Sequence, residues 1–225
     1  MDLNEKRKYL KDSLDETGWE EILHPWLDSS NYLTVIKKLV NEVENGVRFA
    51  PAIKNWFNPF TSCSFDDLKV VFIKNESYND VEDANGLAFS CNSSTKQPAL
   101  RYLKQGIYET CTELIDSDDL DHLPNQGVLL YNASLTAQIG KLDSHSSLWN
   151  KFTINLLNGI NNNTKDVIVV LFGKKTHKWH SHLTNQKVIQ VDDPLTGLYT
   201  KWEHDDLFNK INRMLINLNK SPIIW

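Results

Sequence analysis

Four short apolar runs limit how this chain can fold: LKVVFI (residues 68–73), GVLLYNASLT (127–136), DVIVVLFG (166–173) and KVIQV (187–191). Each is rich in β-branched residues and bounded by charged or turn residues, as expected for a strand covered on both faces. The stretches around them carry apolar residues at helical spacing. WEEILHPWL and NYLTVIKKLVNEVEN precede the first strand, with Gly46 as a stop. PALRYLKQGIYETCTELI starts at Pro98, where a missing N–H costs nothing. SLWNKFTINLLNGI and EHDDLFNKINRMLINLN supply two further helices. This alternation predicts an α/β fold with a central four-stranded, mostly parallel sheet flanked by helices. No internal repeat or linker-like stretch divides the chain, so residues 1–225 read as one domain, with 1–18 as an N-terminal extension.

The bulk composition is that of an ordinary globular protein, 40% hydrophobic and 24% charged. A formal charge of -5 gives no overall attraction to nucleic acid. Cys63, Cys91 and Cys111 contain no C-x-x-C pair and read as reduced thiols, which with the charged N-terminus places the chain in the cytoplasm, or in a host cell's if viral. Twenty Lys against four Arg, with 23 Asn, suggest a low-GC genome, bacterial or viral. No membrane span, cofactor fingerprint or metal motif is expected. The histidines of HKWHSH (His177, His180 and His182) lack a cysteine or a partner motif.

Five phrases, in order and well spaced, carry a family resemblance. GLAFS (86–90), QGVLLYNASLT (126–136), SHSSLWNKFT (144–153), VLFGKK (170–175) and KSPIIW (220–225) resemble segments of the family 1 uracil-DNA glycosylases. The resemblance runs from about Trp19 to Trp225. It implies a protein that flips uracil from DNA and hydrolyses its glycosidic bond. By the same resemblance Tyr78 matches the tyrosine that blocks a 5-methyl group, Phe89 the base-stacking phenylalanine, and Asn132 the asparagine that reads the base edge. Leu195 matches the wedge leucine, and Ser90 and Ser181 are candidate phosphate contacts.

The departures are as specific. The family's GQDPYHG is KNESYND here, so Glu76 stands for the catalytic aspartate, Lys74 and Asp80 for glycines and Ser77 for proline. The family's HPSPLS falls on DDPLTG, placing the catalytic histidine at Asp192; shifted by one residue, it falls at Val191. Neither donates a hydrogen bond to the leaving base. His182 and His204 are the nearest alternatives in sequence. Residues 74–83 and 192–206 carry net charges of -3 and -4. Acidic loops there predict weak or lost DNA binding. The reading drawn from these losses is a catalytically degraded glycosylase-fold protein acting through an unknown protein partner, as an accessory, inhibitor or DNA mimic. One alternative is an active N-glycosylase using Glu76 to activate water. The other is a non-cleaving binder of uracil-containing or single-stranded DNA.

Overall fold

A computed structural model describes residues 3–92, 97–115, 117 and 119–225. In chain order the helices are α1 (Leu3–Asp12), α2 (Glu20–Leu27), α3 (Ser30–Glu44), α4 (Asn58–Ser62), α5 (Pro98–Thr110), α6 (Ser146–Asn163) and α7 (Leu207–Asn217). The strands are β1 (Phe49–Ala50), β2 (Val70–Glu76), β3 (Val128–Ser134), β4 (Ala137–Gln138), β5 (Ile168–Phe172) and β6 (Lys187–Val191). Strands β3, β2, β5 and β6 form the central sheet in that order, and every pairing is parallel. The expected α/β architecture is therefore the observed one, with a small antiparallel β1–β4 ribbon beside it. Among the described residues no helix is long and apolar enough to cross a membrane.

Both faces of the sheet are covered, which explains why its strands are continuous apolar runs. Side chains alternate across a strand with period two. Val71, Ile73, Leu129 and Tyr131 pack with aromatics from α2, α4 and α6, among them Trp26, Phe60 and Phe152. Val70, Phe72, Val128 and Leu130 pack on the other face with residues of α5 and α7 and with Trp225. The latter is 1% exposed and stacks on Phe72 at 5.8 Å. Residues 3–18 join the first of these cores through Leu10 and Leu14.

The helix expected to continue from Pro98 to Ile115 stops at Thr110. There the Thr110 hydroxyl donates back to the Gly106 carbonyl at 2.7 Å, and the Ile115 N–H donates to the Trp225 carbonyl instead of a helical one. Strand β2 also runs further than the apolar run that predicts it, to Glu76. That extension carries Lys74 and Glu76 onto the α5/α7 face at the carboxyl end of the sheet, where α/β proteins bind ligands.

Candidate active site

A cleft of about 670 Å³ opens at this end, between the loops that follow β2, β5 and β6. Glu76 lies on its floor at the end of β2, 8% exposed. The Asp143 N–H donates to its Oε2 at 2.7 Å, and no hydrogen bond among the described residues engages Oε1. Burial pushes the Glu76 carboxyl above the ordinary range, with the Asp143 N–H and the lysines at 74 and 175 opposing. Asp143 is itself fixed. Asn75 donates to its Oδ1 at 2.8 Å and Lys175 pairs with its Oδ2, holding its carboxyl below the usual range.

Lys74 departs most from what a loop lysine should do. It sits opposite Asn132 in the β2–β3 register, lines the cleft, and is 7% exposed. Its ammonium donates to the Glu76 carbonyl and stands 4.5 Å from the centroid of the Tyr78 ring. Burial drives its amine below the ordinary lysine range, against the raising effect of Asp193 and Glu76.

Of the expected pocket residues, Tyr78 lines the cleft, while Phe89 and Asn132 are buried and do not line it. The Tyr78 hydroxyl donates to the Phe89 carbonyl at 2.9 Å, fixing the ring at the cleft. Phe89 is fully buried and packs edge-on against Phe172 at 4.8 Å. Its φ of +68° is the left-handed conformation that a bulky side chain seldom adopts, at a cost on the order of 1–3 kcal/mol. Asn132 donates to the Gly86 carbonyl at 3.1 Å, while its Oδ1 is buried with no partner among the described residues. An unpartnered buried acceptor is unusual and marks a site that a ligand N–H could complete.

Of the other expected residues, Leu195 is 38% exposed at the cleft edge, with its N–H donating to Asp193 Oδ1 at 2.9 Å. Asp192 is exposed and lines the cleft, its carbonyl held by the Trp202 indole at 2.9 Å. Val191 ends β6, and its carbonyl is occupied by the Gly173 N–H at 2.8 Å. Ser90 is buried and receives a hydrogen bond from Asn85 at 2.7 Å. Ser181 is outside the cleft, bonded to the Lys178 carbonyl. His204 packs against Trp202 and Phe208. His182 faces Asn158 at 3.3 Å, so neither histidine reaches the cleft. His177 and His180 meet Val191 and Gln190 separately.

The strongly acidic mouth inferred from the sequence is not what the fold assembles. Asp206 pairs with Arg213 on α7 at 2.9 Å, and Asp83 is buried against Gln97. The cleft lining holds three basic side chains, Lys74, Lys174 and Lys175, against three acidic ones, Glu76, Asp192 and Asp193. Lys174 and Lys175 come from the loop after β5, outside both segments whose charges were summed.

No protein-family model matches the chain. A uracil-DNA glycosylase of Borreliella burgdorferi is 34% identical over 163 residues, covering 70% of this chain and 73% of that protein. The chain belongs to the uracil-DNA glycosylase family. Uracil-DNA glycosylase 1 of Listeria innocua is 29% identical over 218 residues, 92% of this chain and 96% of that one. The crystal structure of mimivirus uracil-DNA glycosylase superposes with a TM-score of 0.83, covering 96% of this chain and 88% of the other at 21% identity. These findings overturn the reading of a catalytically dead scaffold. Relatives spanning nearly the whole chain carry an enzyme's name, and this glycosylase-family chain retains a buried, hydrogen-bonded carboxylate at the end of β2. The losses around Glu76 altered the loop but left an acidic group in place.

One link behind the site was not anticipated. The Trp149 indole donates to Thr136 Oγ1 at 2.7 Å, and Thr136 meets His145 Nδ1 at 2.8 Å. His145 Nε2 then meets Glu42 Oε2 at 2.8 Å, although the two residues lie 103 positions apart. Burial pushes the His145 imidazole below its ordinary value, against Glu42. Burial also acts to raise Glu42, but hydrogen bonds from His145, Gln138 and Lys38 outweigh it and hold the carboxyl low. Both groups therefore take up protons more readily in the unfolded chain. Their contribution to stability is present at neutral pH and is lost as pH falls, first below about 6.5 and further below about 4.3. Thermal unfolding midpoints should drop steadily between pH 7 and 4, and a His145→Asn variant should show a shallower decline above pH 5.

Proposed function

We propose that this chain is a DNA N-glycosylase that releases uracil, with Glu76 as the carboxylate that orients water. The observation that carries this is Glu76 itself, buried on the cleft floor with one oxygen fixed by the Asp143 N–H and the other without a hydrogen bond among the described residues. The name shared by the relatives supports the substrate. In this reading the ionised carboxylate holds a water against the C1′ face of the sugar and stabilises positive charge building there. Asn132 Oδ1 accepts from the base N3–H and meets the need of that buried oxygen. The Tyr78 ring, tied down through Phe89, excludes pyrimidines with a 5-substituent. Leu195 supports the strand from which the nucleotide has left.

Turnover is slow in this reading, because neither Asp192 nor Val191 donates to the oxygen on which charge develops. A missing donor of this kind costs roughly 2.7–4 kcal/mol of barrier. Asp192→His should raise single-turnover excision about tenfold or more, measured on uracil-containing single-stranded DNA. With balanced charge in the cleft and -5 overall, duplex affinity is weak and its salt dependence shallow.

The primary test follows free uracil and alkali-sensitive sites from a labelled uracil-containing single strand, with protein in excess over DNA. Uracil release, absent with the thymine control, is the expected result. No release at stoichiometric protein would end this reading.

A further inference from the structure

Lys74 has no role in that mechanism, yet its nucleophilic amine is the most enclosed amine among the groups lining the cleft. We propose that Lys74 is an imine-forming residue that gives this protein a second activity, β-lyase cleavage of abasic DNA. The proposal rests on the proposed glycosylase reading for the origin of the abasic site, but its test does not need excision to occur.

Three observations carry it. Lys74 and Glu76 lie two residues apart at the end of β2 and both line the cleft, with the Lys74 amine donating to the Glu76 backbone carbonyl. The amine is 7% exposed, and burial favours its neutral, nucleophilic form, as in Schiff-base lysines elsewhere, against the Tyr78 ring face and the nearby Asp193 and Glu76, which favour the ammonium. Its polar partners are sparse: among the described residues its side chain makes one hydrogen bond, to a backbone carbonyl.

The chemistry balances without an added oxidant or reductant. An abasic deoxyribose opens to an aldehyde at C1′. The Lys74 Nζ lone pair attacks that carbon, and the carbinolamine loses water to give a protonated imine. A base, for which Glu76 is placed, removes a proton from C2′. The electron pair forms the C2′–C3′ double bond, and the C3′–O bond breaks, expelling the 3′ phosphate. Water then hydrolyses the imine, returning free Lys74 and an unsaturated aldehyde on the 5′ fragment.

The test uses the full chain and an oligonucleotide with a preformed abasic site, incubated with sodium borohydride, which reduces an imine to a stable amine. A covalent protein–DNA adduct is expected, with peptide mapping placing the sugar on Lys74. Adduct and alkali-independent strand cleavage should both fall to background in Lys74→Arg, which keeps a basic side chain but not the nucleophile. Lys74→Met provides a second variant, with circular dichroism to confirm folding. If neither variant folds, the mapped peptide from the native protein decides the assignment. An adduct mapped to another amine, or none from native protein, overturns the proposal. Uracil release without any adduct would remove the lyase and leave the glycosylase standing. An adduct without uracil release would do the reverse.

Discussion

Glu76→Gln is expected to lower uracil excision by about a thousandfold, within the 10²–10⁴ range for a positioned acid–base group, while raising the thermal midpoint of unfolding. The first effect follows from replacing the ionised carboxylate by a neutral amide of the same size, which still accepts from the Asp143 N–H but neither polarises water nor offsets charge at C1′. The second follows from burial. The folded protein holds the Glu76 carboxyl above its ordinary range, so its contribution to stability is favourable at low pH and declines as pH rises through the folded value. At pH 7 the amide is free of that penalty. Opposite signs for activity and stability are the signature of a functional group held in an unfavourable setting. Equal loss of both would instead mark Glu76 as structural. The native enzyme should also show an acid limb in its rate displaced upward from about 4.3, the ordinary glutamate value, and steady-state rates from pH 4 to 7 would reveal it.

The largest effect on stability is expected from Gly86→Ala. Gly86 has φ +93° and a Cβ placed there would lie 2.0 Å from the Asn55 carbonyl oxygen. The Asn55 backbone ahead of the added carbon and the left-handed φ of Gly86 itself leave no inexpensive relief, so the loop must move. Strain and overpacking together suggest a loss of about 2–5 kcal/mol, or roughly 5–15 °C in a domain of this size. Gly46→Ala separates the contributions, because Gly46 has φ +77° with nothing within 4 Å of the added carbon. It should cost only about 1–2 kcal/mol, the left-handed preference alone. The Gly86 carbonyl also holds Asn132, so the displaced loop should impair base recognition. Loss of excision beyond the loss of folded protein, in a folded Gly86→Ala sample, would register that coupling. Equal melting points for the two variants would mean that the Asn55 contact relaxes at little cost.

The strands were legible because a sheet covered on both faces leaves uninterrupted apolar runs, and β6 matched its run residue for residue. The helix ends were less so. Nothing near Thr110 signals a stop, since what terminates α5 is partly the distant Trp225 carbonyl. At the cleft, the family phrases pointed to Glu76 and Tyr78, which line it. The inward turn of Lys74 did not, because a lone lysine between a strand and an acidic loop reads as solvated. The charge balance was missed for a related reason. Segment sums cannot tell that Asp206 faces Arg213 while Lys174 and Lys175 come in from another loop. The inactive reading came from counting substitutions, where the retained chemical type at the end of β2 was the more informative fact.

The order β3–β2–β5–β6 also bears on how the molecule is made. Strand β2 emerges first, can pair with β3 only after the intervening loop and α5 are complete, and keeps an open edge until residues 168–172 have been synthesised. Pairings this far apart in sequence form slowly, and unpaired edges are prone to wrong partners meanwhile. The strand that carries Glu76 is thus the one exposed longest during biogenesis, and the yield of soluble protein should depend on synthesis temperature more than the finished fold would suggest.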